Sequence, residues 1–225
     1  MTCMTPRQFF LGKTGKTTYG PMPDFENVVK AVISTFAVFV GFTINMYLNK
    51  AEVEDWRNWR FYAFIALATL LLRYIIGSAV HLNYAYVQKI TVGGVTRQRS
   101  RSVALLFKDI CFLVIFGVIA VHTSKANSFD GFVAGTLWFV GAGFVWSVLD
   151  AIVRVICAAV QAEPLEGPGN FVVLWIILDV ALFAIVVAVN HNMGHELTRA
   201  QVIAGLYFLF LIFDFLAIVR GTQFG

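Results

Sequence analysis

Charge is scarce in this chain. Asp, Glu, Lys and Arg make up 13% of its 225 residues, against roughly 25% in an average soluble domain. Hydrophobic residues reach 59%, with a mean hydropathy of +0.76, more apolar side chain than a water-soluble monomer can hide. A charged, turn-rich stretch of domain size is missing as well, so no separate soluble domain is expected. Cysteine is equally sparse. Cys3, Cys111 and Cys157 lie far apart, which offers neither a disulfide framework nor a CxxC redox pair. The first 26 residues carry Arg7, Lys13 and Lys16 but no apolar core, so no cleaved signal peptide is expected.

Catalytic signatures are also missing. GKTGKT at 12–17 contains a GKT, but Phe10 stands where a P-loop needs its first glycine and no strand precedes it. That segment reads as a flexible basic arm. No Ser-His-Asp, HExxH or nucleophile-elbow arrangement is present, so the residues give no basis for a hydrolase. The formal net charge of +4 would hint at nucleic acid in a soluble chain. Here Lys and Arg flank apolar segments, so they mark membrane-facing loops and no nucleic-acid partner is expected.

What is abundant is long apolar runs. Six stretches, about 28–48, 61–86, 103–122, 132–157, 171–190 and 201–220, can each cross a bilayer core of about 30 Å, which takes roughly 20 helical residues. Only helices or closed barrels satisfy every backbone group in lipid. VALLFKDICFLVIFGVIAVH does not alternate as a barrel strand would. The expected fold is therefore all-α, a six-helix bundle over 28–220, with a polar basic arm at 1–27 and a short tail at 221–225. The fourth stretch is over-long and should tilt, kink near Gly141 and Gly143, or run past Arg154.

Counting Lys and Arg near helix ends sets the expected orientation. With the N-terminus inside, the inner flanks hold eleven (Arg7, Lys13, Lys16, Lys30, Lys89, Arg97, Arg99, Arg101, Lys108, Arg154 and Arg220) and the outer flanks five (Lys50, Arg57, Arg60, Lys125 and Arg199). Both termini are thus expected in the cytoplasm, in a plasma or bacterial inner membrane. The loop TVGGVTRQRSRS should lie against anionic headgroups. Trp56 and Trp59, with Tyr84 and Tyr86, fit interfacial aromatic belts. FGVIAVH (116–122) against IVVAVNH (185–191), and AIVR at both 151–154 and 217–220, suggest a duplicated hairpin.

At 100° per residue, polar residues gather on one side of three spans: Thr69, Arg73, Gly77, His81, Tyr84 and Gln88 on the second; Thr136, Gly143, Ser147, Asp150 and Arg154 on the fourth; Lys30, Ser34, Gly41, Asn45 and Asn49 on the first. These stripes are expected to face the bundle interior. Packing of small residues explains most of their members.

The intramembrane charges ask for more, since each costs at least about 2.5–3.5 kcal/mol to insert. Asp109, Asp150, Asp179 and Asp214 fall at similar depths, about 9–12 Å from the cytoplasmic end of their spans at 1.5 Å per residue. Four helices are therefore expected to supply one acidic site, with Asp179 central and Arg73, Arg154 and Lys108 as counter-charges or gate. Such a site would bind a cation or take up protons, making the protein a channel or transporter for a cation, a proton or a solute coupled to one. Internal neutralisation, in which Asp150 and Arg154 pair at i and i+4, is the competing account. It would fit an anchoring subunit of a larger membrane complex or a homo-oligomer. A third alternative is a redox subunit in which His122, His191 and His195 hold haem b or a transition metal, aided by Asp130 and Glu196. GFVAG at 131–135 matches GxxxG and suggests close helix contact within or between chains.

Overall fold

The computed structural model describes residues 25–50, 55–87, 89–92, 95–98, 103–161 and 169–223. They form six long helices: α1 (Phe25–Lys50), α2 (Trp59–Leu82), α3 (Val103–Ser124), α4 (Phe129–Gln161), α5 (Gly169–Asn192) and α6 (Glu196–Gln223). All six are long and apolar enough to cross a membrane, so the chain reads as a multi-pass integral membrane protein. Large apolar side chains on the outside, among them Trp138 at 74% and Phe107 at 67% exposure, suit a lipid solvent rather than water.

The helices close into a ring. α1 packs on α3, α3 on α4, α4 on α5, α5 on α6, α6 on α2, and α2 back on α1; the α2–α6 packing is the most extensive, and α2 also reaches across to α4. Lipid tails are as apolar as leucine, so such packing rests on close van der Waals fit and interhelical hydrogen bonds. Two glycines of α4 supply that fit. A Cβ on Gly135 would overlap the Thr123 side chain of α3, and one on Gly143 would overlap the Tyr74 ring and hydroxyl of α2. The second glycine of the GxxxG pattern thus serves a contact within this chain.

Asn58 starts α2 as an N-cap, its side chain accepting from the Arg60 N–H at 3.1 Å. A single π-helical turn, Asn83–Val87, follows its last α-helical residue. Beyond it the described residues include one short antiparallel hairpin, β1 (Lys89–Val92) with β2 (Val95–Gln98), which puts Ile90 opposite Arg97. The basic loop expected here is thus partly strand; Arg99 and Arg101 lie outside the described residues. α4 runs without a break through Gly141 and Gly143 and continues past Arg154 to Gln161.

Candidate functional site

α2 is the spine of the polar interior. Arg73 and His81 on it are buried, with Ser78 between them, and each faces a different pair of carboxylates. The four aspartates are all buried, as the cost of charge in lipid requires, but they form two groups rather than one common site.

The first group joins α2, α5 and α6. Arg73 Nη1 donates to Asp179 Oδ1 at 2.7 Å, and Arg73 Nε donates to Asp214 Oδ2. A guanidinium presents its donors in a rigid fork, so one arginine can hold two carboxylates on different helices at once. Its Cζ lies 5.3 Å from the Tyr74 ring centroid, and the Tyr74 hydroxyl donates a long 3.4 Å bond to Asp179 Oδ1. Asp214 Oδ1, also buried, has no hydrogen-bond partner among the described residues. Arg73 is the one cation in ion-pair contact with either carboxylate among the described residues.

The second group joins α2, its π-turn, α3 and α4. Asp109 Oδ1 accepts from Trp146 Nε1 at 2.7 Å and lies 2.9 Å from Lys108 Nζ. Asp109 Oδ2 accepts from the Tyr86 hydroxyl at 2.6 Å and lies 3.5 Å from His81 Nε2. Asp150 Oδ1 stands 3.6 Å from Lys108 Nζ and 4.0 Å from His81 Nε2, so Lys108 and His81 each face both carboxylates.

The π-turn makes this group possible. His81 and Tyr86 are five residues apart, which an α-helix would place about 140° from each other. A turn closed from i to i+5 brings such positions onto one side, and both side chains address the same oxygen. Tyr86 is therefore fully buried and bonded to Asp109, not a member of an interfacial belt. Trp56 is 60% exposed. Trp59 packs edge-on against Phe129 instead, with ring centroids 5.5 Å apart.

An aromatic wall stands beside both groups. Tyr74, Phe116 and Phe139 are mutually in ring contact at 4.8–5.0 Å, and Trp146 joins Phe116 at 5.8 Å and His81 at 5.0 Å. Next to it lies a cavity of ≈ 30 Å³ lined by Arg73, Ser78, Ser147, Trp175, Asp179 and Asp214 among others. A smaller hollow of ≈ 10 Å³ is lined by His81 and Asp150 and shares Trp146, Ser147 and Trp175 with the first.

Several expected placements differ. The polar stripe of α4 does turn inward, with Thr136, Ser147 and Asp150 buried, as does the Thr69–Arg73–His81 part of α2. The stripe of α1 turns outward: Lys30, Ser34, Gly41, Asn45 and Asn49 are exposed, while Val29, Phe36, Val40 and Tyr47 face the bundle. The aromatic face packs more tightly, with Tyr47 against Phe64 and Phe132 at 6.0 and 6.4 Å, and it also carries the Tyr47 hydroxyl, which donates to the Arg60 carbonyl at 3.2 Å. The side chains of Arg154, Tyr84 and Arg220, and all of Gln88, lie outside the described residues, so the Asp150–Arg154 pairing does too.

The histidine constellation is not assembled. His122, His191 and His195 are exposed, and among the described residues no group of three or more His, Cys, Asp or Glu side chains could hold a metal ion. The i, i+4 spacing of His191 and His195 does not act on one helix, because α5 ends at Asn192 and α6 begins at Glu196. Asp130 instead accepts from Arg199 Nη1 at 3.2 Å, and the same nitrogen reaches Asn190 Oδ1 at 3.0 Å.

Tyr74, Tyr86, Trp146 and His81 as carboxylate partners escape sequence reasoning, since three are aromatic and score as ordinary membrane-helix residues. The α2 stripe that holds Arg73 and His81 was the available signal. No protein-family model, curated protein or solved structure matches the chain.

Proposed function

We propose that this protein moves protons through the membrane, with Asp179 and Asp214 as the exchangeable site and Arg73 as its fixed counter-charge. The observation that carries this is that two buried carboxylates share one guanidinium. An uncompensated charge buried in low dielectric costs several kcal/mol, so one proton on the pair is what balances it. Arg73 occupies the position between the carboxylates that a metal cation would need, and it cannot lose its own charge. A cavity of ≈ 30 Å³ is too small for a solute. Both features favour a proton over the larger cargoes. Asp150, facing His81 at 4.0 Å, forms a second station further along α2, and Asp109 anchors the helices around it.

Purified protein in liposomes, driven by a potassium diffusion potential and read with an internal pH dye, tests this. Wild type should acidify the lumen, and Asp179→Asn and Asp214→Asn should lose the flux while eluting as folded protein in detergent. Wild-type flux equal to that of empty liposomes would overturn the proposal.

A second reading, an anchoring subunit of a larger membrane assembly, is favoured by the outward stripe of α1. Ser34, Gly41 and Asn45 facing lipid suit a partner helix, since small residues permit close approach and Asn bonds across helices. Asn45→Leu would then lower the assembly size on native gels without touching proton flux.

A further inference from the structure

The two stations are too far apart to hand a proton over directly. Arg73 and His81 are eight residues apart on α2, about 12 Å along the axis, whereas a proton passes between groups at hydrogen-bond distance, about 2.6–3.2 Å. Three of the buried polar atoms that make no hydrogen bond among the described residues lie along this stretch: Asp214 Oδ1, Ser78 Oγ and His81 Nε2, the last in a long 3.5 Å contact with Asp109 Oδ2. Their residues are all more than nine-tenths buried, at 6%, 2% and 7% exposure. Asp214 and Ser78 line the larger cavity, His81 lines the smaller one, and Ser147 belongs to the walls of both.

Leaving a hydroxyl or carboxylate oxygen buried and unbonded costs about 1–3 kcal/mol each, and ordered water is the usual remedy in a polar hollow. A water needs roughly 10–15 Å³ of such space and two to four polar neighbours. The larger cavity, at ≈ 30 Å³, has room for about two, and the smaller, at ≈ 10 Å³, for about one. Ser78 and Ser147 can each accept one hydrogen bond and donate another, which lets them link waters in series.

We propose that the two hollows hold a short chain of ordered water molecules running from Asp214 past Ser78 and Ser147 to His81 and Asp150. Its occupancy stands on the cavities and the unbonded atoms alone; its use as the proton path rests on the function proposed above. Trp146 and Trp175, shared by both hollows, form the walls that keep the file narrow.

X-ray radiolysis in nanodiscs tests occupancy, because hydroxyl radicals born from bound water oxidise the side chains beside it. Trp146, 5% exposed, lines both hollows, whereas Phe139, 0% exposed, lines neither, so with each rate normalised to that of the free amino acid Trp146 should oxidise several-fold faster than Phe139 in wild type. Ser147→Val, which removes the hydroxyl and fills the junction, should lower Trp146 labelling several-fold and lower proton flux with it. Trp146 labelled no faster than Phe139 in wild type would overturn the water chain, whatever the flux. Labelling as expected in a protein with no flux would leave the water chain standing and sink the transport function instead.

Discussion

The two carboxylate groups solve the same problem with different chemistry. Around Arg73 a permanent cation is forked between Asp179 and Asp214, and one carboxylate oxygen is left over. Around Asp109 the anion is met by four neighbours, Trp146, Tyr86, Lys108 and His81. Asp109, with one oxygen accepting from Trp146 and the other from Tyr86, clamps α2, α3 and α4 together. Under the proposed function, a pair that shares one cation keeps a use for a proton. Similar residues at similar depth are thus held by several donors in one place and by one shared cation in the other, and under the proposed function only the second pair exchanges a proton.

Four substitutions probe that contrast. Arg73→Leu strips two buried carboxylates of their cation and should cost about 3–5 kcal/mol, read as loss of folded protein in detergent denaturation. Asp109→Leu leaves the Trp146 and Tyr86 donors buried without an acceptor and should cost about 3 kcal/mol. If it costs less than Asp179→Asn, the assignment of clamp and exchange site is reversed. Gly143→Ala drives a Cβ into the Tyr74 ring and should cost about 1–3 kcal/mol by overpacking; a neutral result would mean that Tyr74 swings away freely and that the α2–α4 contact does not fix the first group. Lys30→Ala removes an i, i+4 pair with Glu26 whose side chains are 67% and 53% exposed. It should shift stability by less than about 0.5 kcal/mol, the baseline against which the buried changes are judged.

The six spans were legible because length and hydropathy act locally, and each observed helix agrees with its expected span to within a few residues at most ends. The burial of the four aspartates followed from the cost of charge in lipid. Their partition did not, because depth along a helix axis says nothing about azimuth around the bundle. α1 shows the same limit: its polar stripe was found, but the tighter aromatic packing of Tyr47 on the opposite face turned the stripe outward.

Apolar runs and rare charges by themselves determined a multi-span helical membrane protein with buried acids, since in hydrocarbon the backbone must bond to itself and ions must hide. Only the tertiary structure decided which acid meets which base. One π-helical turn rotated Tyr86 onto Asp109, and one arginine on α2 was placed within reach of two other helices. Those pairings depend on the mutual rotation of packed helices, which arises from interactions between segments distant in sequence.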